Sequence, residues 1–356
     1  MTITIKSNPD GVSGAIQVNG VDAVTVDKTG IIQGAPFSFR NKIINGDMRI
    51  DQRNAGASVR LSGLAVTYTL DRWAIRNDTD AVVSVQQSST APTGFNNSLL
   101  YTVTTADSSL GATQNYSVQQ RVEGFNMADF GWGTASAQTV TLSFWVRSSL
   151  TGTFGGAIAN SAANRSYPFT YAISAANTWE QKTVTIAGDT TGTWLTTNGV
   201  GAYVYWSTGA GSAISGTAGA WAGADYRSAT GATSVVGTSG ATFYITGVQL
   251  EAGSIATPFE HRPYGTELAL CQRYLERCQY SLLGYGPAGA IISSVVNYRC
   301  TKRVTPTLSA VNEFSYNNYG ATFPYVNSVY GMSFYARVLS TGDADLRGYF
   351  FASAEL

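Results

Sequence analysis

The sequence predicts a mainly β chain: a β-sandwich or jelly roll set between two small β units, with a single helix. Three observations predict it. Runs with period-two alternation recur between Gly, Asn and Asp turn signals. One segment, 266–282, keeps a helical spacing of apolar residues. The composition is 44% hydrophobic and 12% charged, which supplies buried cores and excludes a wholly disordered chain.

Residues 1–35 form the first unit. Runs 15–18 and 21–26 are β-prone and flank Asn19-Gly20, the pair best suited to a tight hairpin turn. A lone hairpin is marginal in water, so this unit must dock on symmetry mates or on a larger assembly. Residues 36–262 read as all-β. Val140, Leu142, Phe144 and Val146 share one face of a strand, with Thr141, Ser143 and Arg147 on the other. Segments 179–186 and 242–250 are further strands, and the apolar parity of the second shifts across Gly247, the mark of a bulge. Residues 207–241, rich in Gly, Ala, Ser and Thr, break the rhythm and read as a long surface excursion.

Residues 263–282 are a linker and the helix. Thr266 is placed to cap it, and Glu267 suits its positive end. Leu268, Cys271, Leu275, Cys278 and Leu282 fall at spacings of three, four, three and four, the seam of a short coiled coil. A surface helix packed on its own domain is the alternative. Two heptads are not stable alone, so the helix needs partner chains or a neighbouring domain. Residues 283–356 return to β and are rich in Tyr; about 75 residues make a thin core, which again points to oligomerisation.

Several classes of function are excluded. The 22 Lys+Arg balance 22 Asp+Glu, and phosphate neutralisation needs a basic surplus, so nucleic acid is not the expected partner. No apolar stretch approaches the roughly 18 residues of a spanning helix. The start, Met1 to Lys6, lacks the apolar core of a signal peptide. Cys271, Cys278 and Cys300 lack the Cys-x-x-Cys spacing of a zinc site, and His261, the single histidine, lies in a Pro-flanked linker. No metal site and no cofactor are expected. Asp47/Asp51, Asp71, Glu123/Asp129, Glu251 and Asp343/Asp345 are available as acid–base pairs, but no motif makes them converge, so an enzyme is not expected. Asp47, Asp71 and Glu251 are also conceivable calcium ligands, without a recognisable calcium loop.

The candidate binding residues are aromatic. Trp194, Tyr203, Tyr205, Trp206, Trp221 and Tyr226 flank or sit in the excursion; aromatic faces stack on sugar C–H faces and keep a polar handle. Tyr203, Tyr205 and Trp206 also read as strand residues with at least one face in the core; Trp206, Trp221 and Tyr226 are the glycan-binding candidates of this group. A second group lies near the C-terminus: Tyr316, Asn318, Tyr319, Tyr325, Asn327 and Tyr330, the composition of adaptable recognition loops and also of hairpin turns. Both groups are poor in charge, which suits a neutral sugar.

An ordered set of motifs resembles a known family. It runs Asn45-Gly46-Asp47-Met48, Ile50-Asp51-Gln52-Arg53, Leu70-Asp71-Arg72-Trp73, Leu142-Ser143-Phe144-Trp145-Val146-Arg147-Ser148, Thr178-Trp179-Glu180, 243–251 and Thr257-Pro258-Phe259-Glu260. This resembles the jelly-roll domain of phage tail-fibre and other virion fibre proteins, itself similar to carbohydrate-binding modules. The stretch 267–274 looks like the short helix that follows that domain and leads into a C-terminal β tip, and 17–24 looks like a virion-fibre N-terminal segment. The resemblance implies a homotrimer on the surface of a phage particle, as a tail fibre, attached through residues 1–35 to tail or capsid proteins. It implies binding to a host-surface glycan through jelly-roll and tip loops, without membrane insertion. A head fibre or decoration protein and a polysaccharide depolymerase spike are the alternatives. Calcium in related modules often uses an acidic residue in the last strand, where this chain has Thr246.

Overall fold

In a computed structural model of the chain, residues 3–7, 14–18, 21–26, 32–33 and 39–356 are described; for the first four segments, 310–316 and 321–326 this covers the backbone alone. The chain divides into two units, Met1–Asn41 and Lys42–Leu356. In the first, strands Ile3–Ser7, Gly14–Val18, Val21–Val26 and Ile32–Gln33 pair antiparallel in chain order. The expected Asn19-Gly20 turn lies outside the described residues.

The second unit opens with a β-sandwich of two six-stranded antiparallel sheets. One sheet has the order Ser166–Ile173, Gly152–Asn160, Val200–Ala210, Asn115–Glu123, Trp73–Asn77, Ala65–Leu70. The other runs Glu180–Ile186, Val140–Ser148, Thr242–Ala252, Ser98–Thr105, Val82–Ser88, Val59–Ser62. Alternation decides which way each strand faces. Val140, Leu142, Phe144 and Val146 are all fully buried and meet Val118, Val204 and Trp206 of the facing sheet in one core. Trp73 and Phe144 pack on Trp206 with ring centroids 5.5 and 5.6 Å away. Trp206 is therefore core and not binding surface. Gly247 stands at φ +60° where the pairing with Val140–Ser148 shifts register, and an added Cβ would lie 2.6 Å from the Phe95 ring. Both facts require glycine at the bulge.

The glycine-rich excursion is held down along its length. After Ala210 it makes a short 3-10 turn, Ser212–Ile214, and a parallel bridge between Ser215–Gly216 and Ser228–Ala229. Val235 and Val236 are fully buried. Trp221 packs edge-on against Trp132, Trp194 and Tyr167, at 5.3, 5.4 and 5.2 Å, and its Nε1 donates to Ala187 O at 2.7 Å. Tyr226 lies over Gly216, where any Cβ would strike its ring. Both aromatics are anchors of the loop. The expectation of an unpacked surface segment failed because isolated aromatics among small residues can all turn toward one sheet edge.

The helix is shorter than its seam. It spans Tyr264–Gln272, so Thr266 lies inside it, and its first residue is preceded by Pro263 with no side-chain cap. Leu268 and Cys271 pack with Ile44, Ile50 and Tyr274 of the same chain. Leu275, Cys278 and Leu282 are not on a helix at all but on strand Leu275–Gly286. Cys278, Tyr280 and Leu282 face inward while Arg277, Gln279, Ser281 and Leu283 are exposed. The coiled-coil seam is thus corrected to a helix turn followed by a strand. The period-two set Cys278, Tyr280, Leu282 outweighs the three-four spacing because a pleated core buries Tyr280, which a heptad would leave on its outward side.

That strand opens a C-terminal module of two three-stranded sheets, Leu275–Gly286, Gly342–Ser353, Thr307–Asn317 and Ile291–Asn297, Gly331–Val338, Tyr319–Asn327. Cys278, Leu282, Phe334, Leu346 and Phe350 form its core. Buried polar contacts fix the module to the sandwich. Arg273 donates to both oxygens of Glu123, and Tyr274 Oη donates to Glu123 Oε2 at 2.5 Å. Arg72, fully buried, pairs with Glu355 and lies 3.6 Å from the Tyr274 ring. Within the module itself, Lys302 pairs with Glu276 at 2.5 Å, both buried.

Candidate functional site

The outward face of the Asn115–Glu123 sheet carries the site. On strand Asn115–Glu123, Tyr116, Val118 and Val122 turn into the core, which leaves Asn115, Ser117, Gln119 and Arg121 on the opposite parity. On the neighbouring strand Val204 and Trp206 are core, so Tyr203 and Tyr205 stand outward. Cross-strand register sets Arg121 beside Tyr203 and Gln119 beside Tyr205, with Ala159 and Ala157 on the far side. Those alanines leave room for two upright rings. The tyrosine rings are parallel within 8°, with centroids 5.5 Å apart.

Around this pair lies a cleft of about 190 Å³ lined by Val66, Arg76, Asn115, Gln119, Arg121, Ser161, Ala163, Tyr203, Tyr205 and Arg227. Two guanidinium groups flank the rings, Arg121 at 5.5 Å from Tyr203 and Arg227 at 5.9 Å from Tyr205. Arg227 is held by Asp225 at 2.6 Å. Burial opposes its charge, but the Asp225 hydrogen bond keeps the guanidinium above the usual arginine range. Arg121 donates to Leu356 O, which also accepts from Tyr68 Oη at 2.8 Å, so the C-terminal module closes one end of this face. Burial pushes the Tyr205 hydroxyl well above the usual phenol range, so it stays a neutral donor and acceptor. Asn115 is 1% exposed, and neither Oδ1 nor Nδ2 of its amide has a hydrogen-bond partner. A buried amide normally finds partners, and each missing one costs about 1–3 kcal/mol. The arrangement can stack an apolar ring face or edge and read hydroxyl or acidic groups beside it.

Of the aromatic residues singled out from sequence, Tyr203 and Tyr205 line the cleft; the glycan-binding candidates lie elsewhere. Trp206, Trp221 and Tyr226 are structural, as described above. In the C-terminal module Tyr319 is buried in the core. Asn318, at φ +58°, closes a turn through Ser340 and Asp343. Asn327 accepts from Tyr298 Oη and donates to Pro306 O. Tyr330 is 69% exposed. Tyr316 and Tyr325 lie on described backbone, but their side chains are outside the described residues. Asp47 pairs with Arg49, Asp71 accepts from Gln52, and Glu251 accepts from Thr257 and Gln249, so each proposed calcium carboxylate is engaged internally. No cluster of three His, Cys, Asp or Glu suited to a metal occurs among the described residues. Cys271 and Cys278 are buried, and burial raises both thiols, Cys278 to about 12. The cleft residues missed from sequence had one signal: the polar parity Asn115, Ser117, Gln119, Arg121 along an otherwise apolar strand.

No family model and no curated protein matches the sequence. Among solved structures, similarity is found to the enzymatically active domain of tailspike protein 4 of bacteriophage CBA120, with 11% identity over 60% of this chain and TM-score 0.32; the match spans 22% of that chain. A putative sugar binding protein from Bacteroides thetaiotaomicron gives 12% identity over 60% of this chain and 100% of its own, TM-score 0.33. The CBM22-2 xylan-binding domain of Paenibacillus barcinonensis Xyn10C gives 14% identity over 52% and 94%, TM-score 0.30.

Proposed function

We propose that this chain is a glycan-binding protein of a phage virion fibre and that the Tyr203–Tyr205 cleft is its binding site. The observation that carries the reading is the parallel tyrosine pair beside the buried, unpartnered Asn115 amide. Rigid aromatic area with hydrogen-bonding groups at its edge suits a sugar, whose rings have apolar faces and polar rims. None of the ten lining residues is Asp or Glu, whereas glycosidic cleavage uses two carboxylates across the bond, so the cleft is read as binding without catalysis. Single sites of this size are expected to be weak, roughly millimolar, and many fibres per particle then supply avidity. The placement on a virion is supported by the ordered motifs from Asn45 to Glu260. In this reading residues 1–35 attach the chain to the particle and the chain assembles as a homotrimer. Such a trimer needs a surface other than the helix, and the exposed apolar residues Leu283, Tyr285, Ile291 and Val295 offer one. Purified protein should be retained by host-surface polysaccharide immobilised on a sensor, and Tyr203→Ala should abolish retention. Equal retention of the variant would refute the site.

A further inference from the structure

The charge in the cleft is uneven. Arg76, Arg121 and Arg227 line it and no lining residue is acidic; Asp225 is spent on Arg227, and Asp78 accepts from the Asn115 backbone N at 3.3 Å. Arg121 is spent on Leu356 O and on the aromatic rings. Arg76 differs from both. It lies on strand Trp73–Asn77, paired across to Ser117 and Val66, and its side chain has neither an ion pair nor a hydrogen bond among the described residues. Its Nε is closed off from solvent without a partner, as are Ser117 Oγ and both amide atoms of Asn115 two residues along.

A guanidinium is a planar fork made for bidentate anions, and a half-buried one left unpaired is unfavourable until an anion meets it. An unpaired arginine side chain and an unpartnered buried amide thus line the same cleft. We propose that the glycan bound here is acidic, and that its anionic substituent is held by Arg76 with Asn115 beside it, while Tyr203 and Tyr205 take the sugar ring. This rests on the reading of the cleft as a glycan site. It replaces the neutral sugar expected from the charge-poor loops, because those loops do not form the site.

The test is affinity electrophoresis of the full chain in gels containing polygalacturonate, alginate or hyaluronate, in gels containing dextran sulfate or a glycerol-phosphate polymer, and in gels containing xylan, β-glucan or dextran. Retention is expected in one or more anionic gels and should weaken as salt rises. Arg76→Ala should lose roughly tenfold or more of that affinity, the size expected for a charge-assisted contact, with an unchanged melting midpoint. Arg76→Lys, which keeps the charge without the fork, should recover only part of it. The carboxylated and the sulfated or phosphorylated gels separate the two sources of anion. Retention by neutral gels that Tyr203→Ala abolishes and Arg76→Ala leaves intact would overturn the acidic assignment and leave the cleft in place. Lack of retention in every gel would overturn both.

Discussion

Arg273, one residue past the helix, donates two hydrogen bonds to the wholly buried Glu123 carboxylate, at 2.6 and 2.9 Å, and so joins the C-terminal module to the edge of the cleft sheet. Removing the arginine leaves Glu123 with Tyr274 Oη. Arg273→Ala should therefore destabilise by about 2–4 kcal/mol, since a buried charge loses its partner. Scanning calorimetry should show the midpoint lowered by about 3–6 °C. An unchanged midpoint would mean that the junction contributes nothing.

Asp71 gives a pH dependence. Burial raises its carboxyl to about 7 against the pull of two hydrogen bonds from Gln52. The folded chain thus keeps a proton that the unfolded chain releases near pH 4. The associated stability is complete below about pH 4 and is lost as pH rises through 7. Burial raises Asp47 and Glu267 as well, with the same sign. Asp189, where burial is outweighed only by the hydrogen bonds from Arg165, Trp194 and Thr191 together, and Glu180, held low chiefly by Lys182, act with the opposite sign and only below the usual carboxylate range. The urea midpoint should be higher at pH 5 than at pH 7.5, and Asp71→Asn should flatten most of that slope.

Trp221→Ala should cost about 2–4 kcal/mol, because its ring fills a space among Trp132, Trp194 and Tyr167 and its Nε1 satisfies Ala187 O. The check is chemical denaturation. A loss below about 0.5 kcal/mol would return the residue to the surface class.

Leu282→Ala should cost about 2–4 kcal/mol as a core truncation, since Leu282 is 1% exposed within the C-terminal module. Its melting midpoint should fall by the same amount at 1 and at 100 µM protein, or roughly those limits, because the contact is within one chain. A concentration-dependent loss would indicate a seam between chains.

Much of the sandwich was legible because two-period alternation is a local signal. Val140 to Val146 and the bulge at Gly247 needed only parity and glycine chemistry. The helix was misread beyond Gln272, since Cys278 and Leu282 satisfy a heptad and a strand face alike and Tyr280 between them was the deciding residue. The cleft was hidden for a different reason. Asn115, Arg76, Tyr203 and Arg227 come from four separated segments, and register alone brings them to one face. Trp221 and Trp206 drew attention through their size, but large aromatics are buried more often than small patterns suggest.

Binding of the purified chain to an array of bacterial surface glycans, with four variants in parallel, tests the cleft most directly. The parent should bind, Tyr203→Ala and Tyr205→Ala should lose binding while they stay folded, and Tyr319→Phe and Tyr330→Ala should bind as the parent does. Undiminished binding by the two cleft variants, or loss confined to Tyr330→Ala, would contradict the assignment of recognition to the Tyr203–Tyr205 cleft.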